Sequence, residues 1–112
     1  MGSPTAGSVV LVPFPFSDLS QAKRRPAVVL ADAGHGDWIL CQITSKPYAD
    51  ARAVRLTDED FESGSLRLVS YARAAKVFTA HESLFVAEAG VLRAESLKRI
   101  AVELVATLQP KA

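Results

Sequence analysis

Two stretches of the sequence carry side chains suited to binding a phosphate group, and the first is a run of three cations. Lys23, Arg24 and Arg25 end a polar stretch, and Pro26 and the β-prone residues 27–30 follow. Proline favours extended backbone in the residue before it, so Arg25 is predicted at the start of a strand. A planar guanidinium binds phosphate through two parallel hydrogen bonds, which lysine does not match. The alternative is a solvated charge run at the exit of a loop.

The second stretch is a pair of hydroxyl residues, Thr44 and Ser45, followed by Lys46. The pair ends the apolar run 38–43, which predicts an almost fully buried strand. Hydroxyls at a strand end can donate to a phosphate or to a substrate hydroxyl. Serine and threonine also cap turns routinely, so the sequence leaves both roles open.

A third candidate is the pair Tyr71 and Arg73, which stand two residues apart and therefore share one face of a strand. An aromatic ring beside a guanidinium suits a stacked nucleobase next to a phosphate, although the two could simply cover the edge of the core. Asp18, in the polar stretch after the first strand, can accept a proton, contact the edge of a base, or support a turn.

The histidines, the cysteine and the acidic run match no recognised site. His35 and His81 are general bases by type, but neither has a partner at a diagnostic spacing. No set of His, Cys and carboxylates has metal-ligand spacing, so no metal and no other cofactor is expected. Cys41 lies in an apolar run, which favours a core residue, and a single cysteine fits a reducing, cytoplasmic compartment. The acidic run 58–60 is predicted to be a solvated turn.

The composition narrows the class of protein. A chain of 112 residues with 49% hydrophobic residues predicts one domain, over residues 7–109, with residues 1–6 a disordered or vector-derived tail. A net charge of +1, from 13 basic and 12 acidic residues, excludes a protein that coats nucleic acid by charge alone. The apolar run from Val9 is broken at Pro13, well short of the ~20 residues of a membrane helix, so no membrane is expected.

Short strands and one helix are predicted to position these side chains. The strands are expected at residues 10–16, 27–30, 38–43, 52–56, 66–71 and 76–78. Helical periodicity predicts a terminal helix that ends at Pro110, with its buried face formed by Leu97, Ile100, Ala101, Leu104, Val105 and Leu108. These elements favour a mostly β fold with α (α+β), either an SH3-like barrel or a strongly coiled antiparallel sheet with the C-terminal helix packed on it.

The opening of the chain resembles one known family. VVLVPFPFSDLS at 9–20, followed by KRRPAVVL at 23–30, is similar to the opening of the MazF/PemK-like toxins of type II toxin-antitoxin systems. Ile43-Thr44-Ser45 resembles the Thr-Ser at the end of the family's third strand, and residues 70–79 resemble its later strand pair. The resemblance spans about residues 7–108 and is most specific in its first thirty.

This resemblance implies a homodimer that binds single-stranded RNA, including messenger RNA, along a groove of the dimer and cleaves it sequence-selectively. It also implies a cognate antitoxin whose tail fills that groove. By position, Arg25 and Thr44 match the residues that the family uses for cleavage. Asp18, Ser45 and Arg73 match positions that line the site or contact RNA. With the residues argued above, the expected RNA-binding set is Asp18, Lys23, Arg24, Ser45, Lys46, Tyr71 and Arg73.

A mechanism without a metal follows from these residue types. The 2′ hydroxyl of RNA attacks the adjacent phosphate and leaves a 2′,3′-cyclic phosphate and a 5′ hydroxyl. Arg25 is assigned to stabilising the charge of the transition state, with protonation of the leaving oxygen as a second role open to it. Thr44 is assigned to orienting the phosphate or the 2′ hydroxyl, and the general base is left open between Asp18 and His81.

Two other functions stay open at this point. Many relatives carry an acidic residue close after the Arg of the later strand, whereas this chain has Ala74 and Ala75. That departure favours a non-catalytic barrel that binds a protein partner or nucleic acid. The fold is also that of the CcdB-like topoisomerase inhibitors, although the Arg25-Pro26 and Thr44-Ser45 motifs argue against that function.

Overall fold

The computed structural model describes residues 3–13, 24–47 and 49–110, and within these ranges the chain forms one antiparallel sheet and one helix. The strands are β1 (Ser8–Pro13), β2 (Arg24–Gly34), β3 (Asp37–Thr44), β4 (Ala53–Leu56), β5 (Phe61–Gly64), β6 (Ser70–His81) and β7 (Ala87–Leu92), and the helix is α1 (Ala94–Leu108). The order across the sheet is β4-β6-β3-β2-β1-β7-β5, with β4 and β5 at its open edges. The predicted fold class is confirmed, in its coiled-sheet form.

The central strands are apolar on both faces, so the sheet separates two buried clusters. Alternate residues of a strand point to opposite faces, which sends neighbours such as Val28 and Val29 into different clusters. The cluster under α1 includes Val9, Val28, Cys41 and Ile100, and the cluster on the other face includes Val10, Val29 and Leu40. Because β2 and β3 are packed on both sides, they hold the residues at their ends in fixed positions.

The helix is where it was predicted, but its buried face is narrower. Ile100 is fully buried, and Leu97 and Leu104 pack on the core beside it. Val105 and Leu108 are 55% and 72% exposed, and Ala101 is also exposed, so the predicted burial of these three is wrong. At 3.6 residues per turn, positions 101 and 105 lie roughly 100° and 140° around the helix from Ile100, beyond the stripe that faces the sheet. In the part of the chain described, no helix has the length and apolarity to cross a bilayer.

The second half of the chain departs most from the predicted strands. Residues 65–69 form a loop rather than a strand, with Arg67 at φ +63°. β6 instead begins at Ser70 and runs through the predicted 76–78 segment. β5 and β7 were not predicted, and they approach so closely at Gly64 that a Cβ there would lie 2.2 Å from the carbonyl oxygen of Ala89. Their pairing therefore depends on glycine rather than on an apolar repeat.

The acidic run at 58–60 is a 3₁₀ turn, and only part of it is solvated as predicted. Asp58 and Glu59 are exposed. Asp60 is 16% exposed and accepts hydrogen bonds from Thr57 N and Ser96 Oγ, both at 2.8 Å, and from Arg99 Nη2. Burial acts to raise the pKa of Asp60, but these hydrogen bonds and the Arg99 charge outweigh it and hold the pKa below its ordinary value. Asp60 therefore ties the turn to α1.

Candidate active site

The register of β2 and β3 brings Arg25 and Thr44 to the same end of the sheet. Ala27 pairs with Gln42, and Arg25 and Thr44 stand two residues further along their strands in opposite directions. In an antiparallel pair this step keeps both residues on one face and opposite each other. On its other side Arg25 pairs with Val12 of β1, which fixes its backbone. Two residues 19 positions apart in the chain thus become neighbours.

Both residues line one open cleft of about 390 Å³ at this sheet end. Its polar lining consists of Arg25, Thr44, Ser45, Lys46 and Ser70. Its apolar lining consists of Pro26, Ile43, Leu66 and Leu68. Among the residues that the structure describes, no carboxylate lines this cleft. Two cations and three hydroxyls without an acid give the cleft a lining suited to an anion.

Two of the three hydroxyls in the cleft, those of Thr44 and Ser70, are held by hydrogen bonds to nearby backbone. Thr44 Oγ1 accepts the backbone N–H of Lys46 at 3.1 Å, which is the turn-capping role, and this leaves the hydroxyl hydrogen for a ligand. Ser70 is 5% exposed, and its Oγ donates to the carbonyl oxygen of Leu68 at 3.1 Å. The two hydroxyls therefore occupy defined positions in the lining of the cleft.

Four other predicted site residues lie beside the cleft or outside the described residues. Tyr71 pairs with Thr44 across β6 and β3 and is half-buried, but it is not part of the cleft lining. Arg24 is exposed at the first position of β2 and does not line the cleft either. Asp18 and Lys23 lie outside the described residues.

Arg73 is held by a carboxylate rather than turned toward the cleft. Its Nε donates to Asp50 Oδ2 at 3.0 Å, and the two side chains are only 18% and 14% exposed. The hydrogen bond from Arg73 is the main cause that holds the pKa of Asp50 below its ordinary value. An acidic partner for this arginine is thus present although residues 74 and 75 are alanines. It comes from the segment between β3 and β4.

The histidines lie far from the cleft. His81 pairs with Asp37 at the start of β3, whereas Thr44 is the last residue of that eight-residue strand, a distance of roughly 24 Å along it. Its Nδ1 accepts the backbone N–H of Ser83 at 3.1 Å. His81 is therefore excluded as a base for chemistry in the cleft. His35 lies in the turn before β3, at the same distant end.

Cys41 is a core residue, as predicted. It is fully buried, and burial raises the pKa of its thiol to about 12. A thiol that stays protonated is neither a nucleophile nor a metal ligand. In the described ranges no group of three or more His, Cys, Asp or Glu side chains is placed to hold a metal ion.

The cleft is also lined by Leu66, Leu68 and Ser70, which the sequence did not predict as site residues. The stretch was predicted as a strand, which would have turned Leu66 and Leu68 onto one face of the sheet. In the structure these residues belong to the 65–69 loop and the start of β6. The pair Gly64 and Ser65 is the turn signal that could have identified the loop.

Comparison with known proteins decides the family. A family model for the PemK-like, MazF-like toxin of type II toxin-antitoxin systems matches residues 5–108. This chain belongs to that family. The cleft of this MazF-like toxin contains the two residues, Arg25 and Thr44, that the sequence resemblance singled out.

Solved structures show the same fold as this MazF-like toxin. MazE-MazF (Form-III) from Deinococcus radiodurans aligns with a TM-score of 0.76 at 22% identity, covering 96% of this chain and 97% of that one. An endoribonuclease in complex with its cognate antitoxin from Mycobacterial species aligns at 0.71 and 15% identity, covering 100% of both chains. Mycobacterium tuberculosis toxin MazF-mt6 aligns at 0.71 and 14% identity, covering 94% and 99%. No curated protein sequence matches the chain significantly.

Proposed function

We propose that this toxin is an endoribonuclease that cuts single-stranded RNA at the cleft where β2 begins and β3 ends. The observation that carries the proposal is the lining of that cleft, where Arg25 and Lys46 stand with three hydroxyls and, in the described chain, no carboxylate. Such a lining matches a phosphodiester. Arg25, Lys46, Thr44 and Ser45 can donate to a phosphate, and in this proposal the RNA itself supplies the nucleophile.

The proposed reaction is an attack of the 2′ oxygen on the adjacent phosphorus. The bond from phosphorus to the 5′ oxygen breaks, leaving a 2′,3′-cyclic phosphate and a 5′ hydroxyl. The 2′ hydroxyl loses its proton to a base, and the leaving 5′ oxygen gains one. Arg25 stabilises the extra negative charge on the phosphate in the transition state, a role typically worth about 10² to 10³ in rate.

Thr44 and Lys46 complete the site in this proposal. The Thr44 hydroxyl, fixed by the Lys46 N–H, donates its hydrogen to a phosphate oxygen or orients the 2′ hydroxyl. The Lys46 side chain is exposed at the mouth of the cleft and contributes charge for binding. Asp18 stays the candidate general base.

In this proposal, selectivity for single strands follows from an apolar side chain in the cleft and an aromatic one beside it. Leu68 is 68% exposed on its wall, and Tyr71 lies beside Thr44. Both offer surfaces to a base that is splayed out of a stack. Paired bases in a duplex cannot reach these surfaces, so duplex RNA is protected.

The partners are proposed from the relatives. Structures of related toxins hold an antitoxin, which supports an antitoxin partner for this chain. A homodimer and a cytoplasmic location belong to the same proposal, and the single buried Cys41 is compatible with a reducing compartment.

A defined transcript incubated with purified protein in excess chelator tests the nuclease. We expect fragments with 5′ hydroxyl and cyclic phosphate ends, and no cut where the nucleotide at the cleavage site lacks its 2′ hydroxyl. Arg25→Ala and Thr44→Val should each abolish most cutting. Arg52→Ala is the matched control, because that arginine forms an exposed ion pair with Glu103 on α1. Binding without cleavage by the wild-type protein would support the non-catalytic alternative instead.

A further inference from the structure

A second cleft of about 420 Å³ adjoins the candidate active site and shares one wall with it. The shared wall is Leu68, which lines both clefts. The second cleft also contains two arginines, Arg55 and Arg67, and two exposed carboxylates, Asp58 and Glu59. Its size lies in the range of clefts that hold small ligands. No role proposed so far uses these four charged residues.

The sheet register places this cleft in line with the catalytic pair. Arg55 pairs with Tyr71 across β4 and β6, and Tyr71 pairs with Thr44 across β6 and β3. Neighbouring strands lie about 4.8 Å apart, so the backbones of Arg55 and Thr44 are roughly 10 Å apart. Arg25 continues the same row one strand beyond Thr44. A single RNA strand that crosses the sheet can therefore touch both arginines.

The wall between the two clefts is fixed by hydrogen bonds to the acidic turn. Ser65 Oγ donates to Asp58 Oδ1, and it accepts the backbone N–H of Arg67 at 2.9 Å. Arg67 has φ +63°, a left-handed conformation that turns the chain sharply at this point. Leu68 is consequently held 68% exposed between the clefts rather than folded into the core.

We propose that the second cleft binds the nucleotide adjoining the scissile phosphate on the same RNA strand and selects its base. Arg55 and Arg67 contact the phosphate of that nucleotide, and its base packs on Leu68. The carboxylates of Asp58 and Glu59 accept hydrogen bonds from an exocyclic amino group. Adenine, cytosine and guanine carry such a group and uracil does not, so the cleft disfavours uridine at this position.

This inference rests on the proposed nuclease function, and binding measurements separate the two. The cut sites on a long transcript define the sequence around the cleavage point for the wild-type protein. Short RNAs with that sequence and a single 2′-deoxy nucleotide at the cut then report binding without chemistry. If the wild-type protein cuts no transcript, the same measurement is made with RNAs of fixed length that differ in one base at a time.

Two variants test the contacts. Asp58→Asn with Glu59→Gln keeps the size of both side chains but adds amide donors that suit the carbonyl groups of uracil. We expect a wild-type preference of about tenfold against uridine at one position beside the cut, and its loss in this double variant. Arg55→Ala should weaken binding to all sequences and reduce the dependence of log Kd on log salt by about 0.7.

Glu88→Gln on β7 is the matched control for the double variant, and Arg52→Ala is the matched control for Arg55→Ala. Neither Glu88 nor Arg52 lines either cleft. Both should leave base preference and the salt dependence of binding unchanged. The inference is overturned if the double variant keeps the wild-type preference, or if Arg55→Ala binds with the salt dependence of Arg52→Ala. Cleavage by the wild-type protein would then leave the nuclease proposal standing. If the wild-type protein does not cleave RNA but still shows the base preference, the nuclease proposal fails and the second cleft stands as a nucleotide-binding site.

Discussion

Replacement of Asp60 by alanine should destabilise the protein far more than loss of any surface ion pair. Hydrogen bonds to a charged group contribute about 1.5 to 3 kcal/mol each, and Asp60 accepts two at 2.8 Å, from Thr57 N and Ser96 Oγ. Ser96 is 3% exposed, so its hydroxyl would lose its acceptor in the interior. The Arg99 side chain is 52% exposed, and its contribution is therefore small.

We expect a loss of about 3 kcal/mol in the free energy of unfolding, which lowers the Tm of a domain of this size by roughly 10 to 15 °C. Urea and thermal denaturation at pH 7 measure it. Glu103→Ala is the control, because it breaks only the exposed pair with Arg52 and should cost less than about 1 kcal/mol. Equal losses in the two variants would refute the role assigned to Asp60.

The pH dependence of this difference is a second check on the same residue. The pKa of Asp60 is lowered in the folded protein, so its carboxylate contributes stability above the ordinary pKa of an aspartate. That contribution falls as the pH drops through the folded-state pKa. The gap between wild type and Asp60→Ala should therefore be complete at pH 7 and shrink below about pH 4. A gap that is constant down to pH 3 would contradict the hydrogen-bonded carboxylate.

Three further outcomes are expected. The Cys41 thiol, whose pKa burial raises to about 12, should not react with a disulfide reagent at pH 8 until urea unfolds the protein, and fast reaction in native buffer would contradict its burial. Asp50→Asn should lower stability at pH 7 with a deficit that shrinks as the pH falls below about 4, since the hydrogen bond from Arg73 lowers the pKa of this carboxylate; denaturation at several pH values measures it. Gly64→Ala should cost more than about 2 kcal/mol by urea denaturation, because its Cβ would lie 2.2 Å from Ala89 O, and a neutral effect would disprove that close approach.

The first three strands and the helix could be predicted because their signals are local. Pro26 sets the start of the β-prone run after Arg25, and the apolar run before Thr44 predicts β3. The meeting of Arg25 with Thr44 depends on the pairing of Ala27 with Gln42, a register that no single segment encodes. The sequence resemblance supplied that link instead.

The parts that could not be predicted depend on contacts between distant segments. β5 and β7 lack an alternating apolar pattern and pair through the close approach at Gly64 and Gly90. The ion pair of Arg73 with Asp50 joins two residues that are 23 positions apart in the chain, and no local sequence pattern near either residue predicts it. The 65–69 loop looked like a strand because Leu66 and Leu68 alternate with polar neighbours, yet both residues line the cleft.

A double-mutant cycle on cleavage tests most directly whether Arg25 and Thr44 act together on one phosphate. The four proteins are wild type, Arg25→Ala, Thr44→Val and the double variant, and the measured quantity is kcat/KM on one single-stranded RNA in chelator. Groups that act as a unit are not additive, so the double variant should lose little more than the about 10² to 10³ lost by Arg25→Ala alone. Losses that multiply, or a Thr44→Val variant as active as wild type, would contradict a shared site.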